Sequence, residues 1–184
     1  IVYPAVFSGG KREVQLNGEA YFEVTHNVEN PFVVRTERCD IEVLGTKFNV
    51  DAYSGSNDFS TALMEGSVKV TGNDSSSRPV LLKPDQEVRL KDGRLMVSSI
   101  SDYDQFRWRE GLVCFKDVAF NELMTRFEKC YGIQIIVENK HLEEYTCSGK
   151  FRISDGVDNA LRILQRNAKY TIERNEDNSV IYIK

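Results

Sequence analysis

Two histidines, four cysteines and a scatter of aspartates near turns are the side chains with chemistry to offer. Cys114 with His141 is the thiol–imidazole pair on which nucleophilic catalysis could draw, since a base must take the thiol proton before sulfur attacks. Cys114, however, lies in the apolar run Leu112 to Phe115, and a buried structural thiol is inert. His26 and His141 sit in polar turns and read as surface residues rather than as the metal ligands a histidine can become. Cys39, Cys114, Cys130 and Cys147 are far apart in the chain, whereas zinc sites favour pairs about two to four residues apart. They read as buried free thiols, with one disulfide, Cys130 to Cys147 for instance, as the alternative. Asp51, Asp58, Asp74 and Asp85 border turns but lack the alternating DxDxDG order of a calcium loop. Trp108 could stack on a sugar; beside Phe106 and a change of pattern it reads instead as an anchor fixing two modules, because tryptophan buries a large area and keeps a polar handle. No catalytic, metal-binding or cofactor-binding constellation emerges, and the chain is expected not to be an enzyme.

What would position such residues is mostly β-structure. From Val14 to Val97 apolar residues recur at every second position, the period of a strand with one buried face. Clear instances are Ala20 to Val24, Phe32 to Arg35, Ile41 to Val50, Phe59 to Met64, Val68 to Val70 and Val88 to Leu90. Turn residues separate them: Ser8-Gly9-Gly10, Asn17-Gly18, Asn30-Pro31, the stretch 54–57, Lys83-Pro84-Asp85 and Asp92-Gly93. Asn17-Gly18 and Asp92-Gly93 suit two-residue hairpins, in which both central residues take positive φ. The polar stretch 72–79 reads as a solvated loop tip. Many short strands at close spacing predict a sandwich or jelly roll. Gly45 and Gly66, inside or beside strands, are expected where a side chain is excluded or φ is positive.

Near residue 102 the alternation stops, and the boundary falls between residues 104 and 105. Beyond it the pattern is strand (112–115), helix (119–131), strand (133–137), strand (146–153), helix (156–167), strand (170–173) and a last strand (180–183). Phe120, Leu123, Phe127 and Cys130 or Tyr131 share one helix face, and Gly132 is placed to cap that helix. Val157, Ala160, Leu161 and Leu164 form the stripe of the second helix, which Ser154 or Asp155 could cap. This describes a small α+β domain over 105–184 with two helices on a sheet.

The 184 residues, 41% hydrophobic and 28% charged, are ordinary globular material with a net charge of −4, which gives no general attraction to nucleic acid. The charge is uneven: residues 1–104 hold 11 Lys and Arg against 16 Asp and Glu, and residues 105–184 hold 13 against 12, in keeping with two modules. No apolar run reaches the ~20 residues that cross a bilayer. The chain begins at Ile1 rather than Met and is expected to be a fragment or a processed chain.

The motifs, taken in order, resemble the FecR family of bacterial transmembrane signal regulators. The likeness begins at Tyr3-Pro4 and runs through GEAYFEV (18–24), Phe32 to Thr36, VLGTKFNV (43–50), LMEGSV (63–68) and LKPDQ (82–86). In the second half, Trp108 to Asp117 fit WxxGLxxFxD, followed by the helix end FEKCYGI and by GKF at 149–151. The resemblance implies a mainly β chain with an α+β part, a jelly-roll-like β-sandwich (1–104) followed by a βαββαβ-like domain (105–184) similar to the secretin and TonB short N-terminal domain. It implies the periplasmic part of a single-pass inner-membrane protein, an anti-sigma factor that does not itself insert in the membrane. Its partners would be the N-terminal signalling domain of a TonB-dependent outer-membrane transporter and, through a cytoplasmic segment, an extracytoplasmic-function sigma factor. Family members carry further strands before the position of Tyr3, so an exposed sheet edge is expected there. A carbohydrate-binding or scaffold domain of the cell envelope is the other reading. For partner binding, the strands carrying Ile133, Ile135 and Val137 and carrying Ile181 and Ile183 are the candidate free edges, one of which is expected to pair with a partner strand; the alternative is that both are internal and a helix face makes the contact.

Overall fold

The computed structural model describes residues 1–7, 9–55, 58–74 and 78–184. The expected tip at 72–79 and turn at 54–57 fall partly on residues 75–77 and 56–57, outside the described set, as does Ser8. The structure is mainly β, and it divides into two units, Ile1–Ser101 and Asp102–Lys184.

Among its described residues the first unit contains ten strands: β1 (Arg12–Gln15), β2 (Gly18–Val24), β3 (Phe32–Arg35), β4 (Cys39–Val43), β5 (Thr46–Ala52), β6 (Ser60–Glu65), β7 (Val68–Gly72), β8 (Val80–Leu82), β9 (Gln86–Lys91) and β10 (Arg94–Ser99). They form two five-stranded sheets, ordered β1-β3-β4-β7-β8 and β10-β9-β6-β5-β2. All pairs are antiparallel except β1 with β3. Outside β1, Val2 exchanges both backbone hydrogen bonds with Gln15. Alternation explains the core: Val34, Ile41, Val43, Val68, Val70 and Leu82 of one sheet meet Phe22, Phe48, Val50, Leu63 and Val88 of the other. Phe22 stacks on Phe48 at 5.1 Å between ring centres. Each fully buried side chain of this size is worth about 1.5–3 kcal/mol.

Among the described residues the turns at 83–86 and 92–93 obey the local rules, and that at 17–18 does not. Asp92 (φ 49°) and Gly93 (φ 73°) both take positive φ and close the β9–β10 hairpin. Asp85 (φ 67°) follows Pro84, and Gln86 N–H donates to the Lys83 carbonyl. Asn17-Gly18 is not a hairpin: β1 and β2 belong to different sheets. The chain crosses between sheets there, and Asn17 instead accepts a hydrogen bond from Ser54 N–H.

The second unit opens with a 3-10 segment, Asp104–Glu110, and continues with β11 (Leu112–Ala119), α1 (Phe120–Tyr131), β12 (Gln134–Val137), β13 (Thr146–Arg152), α2 (Val157–Leu164), β14 (Ile172–Arg174) and β15 (Val180–Ile183). β11 pairs with β13, and the other strands form a three-stranded sheet ordered β12-β15-β14. A bulge breaks the β11–β13 register after Phe115. At it Asp117 takes φ 51°, and its carboxylate accepts the Ser148 hydroxyl, whose oxygen in turn accepts the Asp117 N–H. Phe120, Leu123, Met124 and Phe127 of α1 pack in one core with Val157, Ala160, Leu161 and Leu164 of α2 and with Ile181 and Ile183. Gly132 caps α1 at φ 64°, as expected. The expected cap of α2 is not made: Gly156 holds the N-cap position without a side-chain bond, because Ser154 and Asp155 are taken up in a 3-10 turn before it.

Candidate functional site

The residues that could have done chemistry are dispersed or sealed. Cys114 lies buried in β11, and burial pushes its thiol up from the ordinary value, so little of the reactive thiolate forms. His141 is exposed on the 3-10 turn Lys140–Leu142, and no hydrogen bond joins it to Cys114. His26 is exposed in the loop after β2. None of the four cysteines is in a disulfide, so the Cys130–Cys147 bridge is not formed; Cys39, Cys114 and Cys147 are buried and Cys130 is half-buried. Cys39 is fully buried, its thiol pushed up to about 12 chiefly by desolvation. Among the described residues no three of His, Cys, Asp and Glu converge as metal ligands would.

Phe106 and Trp108 both lie on the 3-10 segment that opens the second unit. Phe106 is buried, with its ring edge-on to Tyr103 at 6.4 Å. The Trp108 Nε1–H is buried and finds no acceptor among the described residues.

The candidate edge strands separate into one at an edge and one that is not. β15 is the central strand, parallel to β12 on one side and antiparallel to β14 on the other. Ile181 and Ile183 are fully buried in the core. They cannot offer a free edge, which corrects the expectation for Val180 to Ile183. The segment VIYI has apolar side chains on both faces, the mark of an interior strand.

β12 does lie at an edge. Ile133 precedes the strand, Ile135 is buried, and Val137 is half-buried. Gln134 N–H donates to Ser179 O and Glu138 N–H to Ile183 O. By the parallel pattern, the N–H groups of Ile135 and Val137 then point away from β15. The first of these is already taken: Ile135 N–H donates to Glu128 Oε1 at 2.7 Å. A carboxylate of α1 thus occupies the position where an added strand would place a carbonyl.

The other edge is β14, which the sequence reading placed as a strand (170–173) without marking it as an edge. Thr171 and Lys184 exchange both backbone hydrogen bonds, and Asn175 N–H donates to Val180 O. The antiparallel alternation therefore turns the backbone groups of Ile172 and Arg174 outward, where they meet no partner among the described residues. Beside this edge runs an open groove of about 770 Å³ lined by Asp158, Arg162, Gln165, Thr171, Ile172 and Arg174. α2 forms its far wall. Arg174 reaches across to Asp158 at 2.8 Å and also donates to Asn178 O. Gln165 is held by the Tyr170 carbonyl at 2.6 Å. The signal that could have marked β14 as an edge is its charge: Glu173 and Arg174 in so short a strand fit an edge better than a sheet centre.

Comparison with known proteins was informative at two levels. The family model described as FecR protein matches residues 1–69, and that described as FecR, C-terminal, matches residues 112–182. No curated protein sequence matches the chain. A 1.65 Å crystal structure of a candidate anti-sigma factor from Parabacteroides distasonis ATCC 8503 superposes with a TM-score of 0.79 and 23% identity, over 100% of this chain and 84% of that one. A second, at 2.50 Å, gives 0.77 and 23%, over 98% and 83%. These likenesses concern the fold. Both unit types are thus matched in order along one polypeptide by the two models of a single family, and the chain belongs to the FecR family.

Proposed function

We propose that this chain is the periplasmic sensing region of a membrane-anchored sigma regulator. It relays the state of a TonB-dependent outer-membrane transporter to an extracytoplasmic-function sigma factor. The observation that carries this reading is the match of both FecR models, in order, along one chain. The fold shared with a candidate anti-sigma factor supports it. So does the open edge of the three-stranded sheet, since recognition by strand addition uses the backbone for affinity and side chains for selectivity. On this reading the protein is non-catalytic.

The experiment has two parts. The chain is tested for co-purification with the isolated N-terminal signalling domain of a TonB-dependent transporter encoded in the same genome. A sigma-dependent reporter is then followed in cells with and without the full regulator. Binding together with a regulator-dependent reporter response is expected. A chain that binds none of the signalling domains of that genome would overturn the transporter part of the reading. Cys114→Ser and His141→Ala variants that fold should signal as the parent does.

A further inference from the structure

The three-stranded sheet treats its two edges differently. At β12 the outward N–H of Ile135 is closed by Glu128. At β14 the outward groups of Ile172 and Arg174 stay open beside a groove. The groove also carries a charge imbalance. Asp158, its one acid, is neutralised by Arg174. Arg162, exposed on α2, has no ion-pair partner among the described residues. Residues 159–172 contain Arg162, Arg166 and Lys169 and no acidic residue. A small anion would use the arginine but leave the strand's carbonyls unanswered. An extended peptide answers both, offering donors and acceptors at strand spacing along with side chains directed at α2.

We propose that the groove between β14 and α2 receives an extended, acid-rich strand of a partner protein, which pairs with the backbone of Ile172 and Arg174 and sets a carboxylate against Arg162. This rests on reading the second unit as a partner-binding module. The incoming strand becomes the fourth of the sheet, beside β14. The Asp158–Arg174 pair stays in place beneath it and keeps the groove from being filled by either side chain. Electrostatic attraction to Arg162 makes encounter fall with salt.

The test uses the whole chain and two probes. The first is a short synthetic peptide alternating valine and glutamate, compared with its valine–lysine counterpart. The second is the transporter signalling domain. The glutamate peptide is expected to bind and the lysine peptide not to. Arg162→Glu should weaken binding by about tenfold or more. Arg174→Pro removes the outward N–H and should weaken it well beyond Arg174→Ala, which removes only the side chain. Val137→Pro, at the β12 edge, should change nothing. Amide hydrogen exchange of the unmodified protein supplies a reading independent of variant folding: the Ile172 and Arg174 amides should become protected when the peptide binds. Equal binding of both peptides, or no protection at these amides, overturns the proposal. So does a groove occupied by a second copy of the chain, seen as a dimer that Arg162→Glu dissolves. If the signalling domain binds and neither variant affects it, the groove is not its site while the transporter reading stands. If the glutamate peptide binds with the expected protection and no signalling domain does, the groove stands and the transporter reading fails.

Discussion

Gly45 and Gly66 lie against each other, and each leaves no room for a side chain. A Cβ on Gly45 would fall 2.5 Å from the His26 Cα, and one on Gly66, at φ 96°, would fall 2.6 Å from the Gly45 carbonyl oxygen. Valine at 45 and alanine at 66 should each cost about 1–3 kcal/mol, from overpacking in one case and from a left-handed backbone as well in the other. Urea denaturation midpoints read both. A paired tyrosine test is sharper. Tyr170 OH is buried and donates to Leu161 O at 2.6 Å, whereas the buried Tyr131 OH finds no partner among the described residues. The same Tyr→Phe change should then cost about 1–2 kcal/mol at 170 and nothing, or a slight gain, at 131. Thermal melts that rank the two in reverse order would contradict this. At this scale the sequence was legible where residue type is tied to backbone shape. Gly66, Asp92-Gly93 and Gly132 all sit where their conformational preferences put them. The family motifs turn out to mark such places, including Asp85 after its proline and Asp117 at its bulge. They record how the chain bends more than what it binds, so the groove residues Arg162 and Arg174 lie outside every motif quoted for the family.

At the scale of elements, periodicity names a strand but not its neighbours. Both helices and their buried stripes could be read from spacing, Met124 being an added member of the first. The sheet order could not. β15 comes last among the strands yet lies in the middle, because side-chain period carries no record of which strand lies beside which. Asn17-Gly18 failed for a related reason. Its dipeptide fits a hairpin, but the strands on either side bury their faces in opposite sheets. The closed edge at β12 yields its own expectation. Glu128→Ala frees the Ile135 N–H, costing about 1 kcal/mol and opening a second edge to association. Glu128→Gln keeps an acceptor and should behave as the parent. Sedimentation velocity over a range of concentrations should show self-association for the alanine variant alone.

At the scale of the whole molecule there are two cores. One draws its residues from 14–95 and the other from 113–183. Each unit therefore holds the apolar contacts that stabilise it, and calorimetry should resolve two unfolding transitions. Phe120→Ala, a change of about 3–5 kcal/mol at a fully buried ring, should lower one of them and leave the other in place. Two transitions that move together would show that the units unfold as one.

The central position of β15 has a further consequence, in time rather than space. β12 and β14 each pair with β15 and not with each other. As the polypeptide emerges, α1, α2 and both outer strands are made before any part of this sheet can close. Until then the places of Ile181 and Ile183 in the core stand empty. The β11–β13 pair can form early, but the three-stranded sheet cannot assemble piecemeal, as the hairpins of the first unit can. It waits for four residues near the end of the unit, and a nascent or clipped chain without them has neither a groove nor an edge to offer.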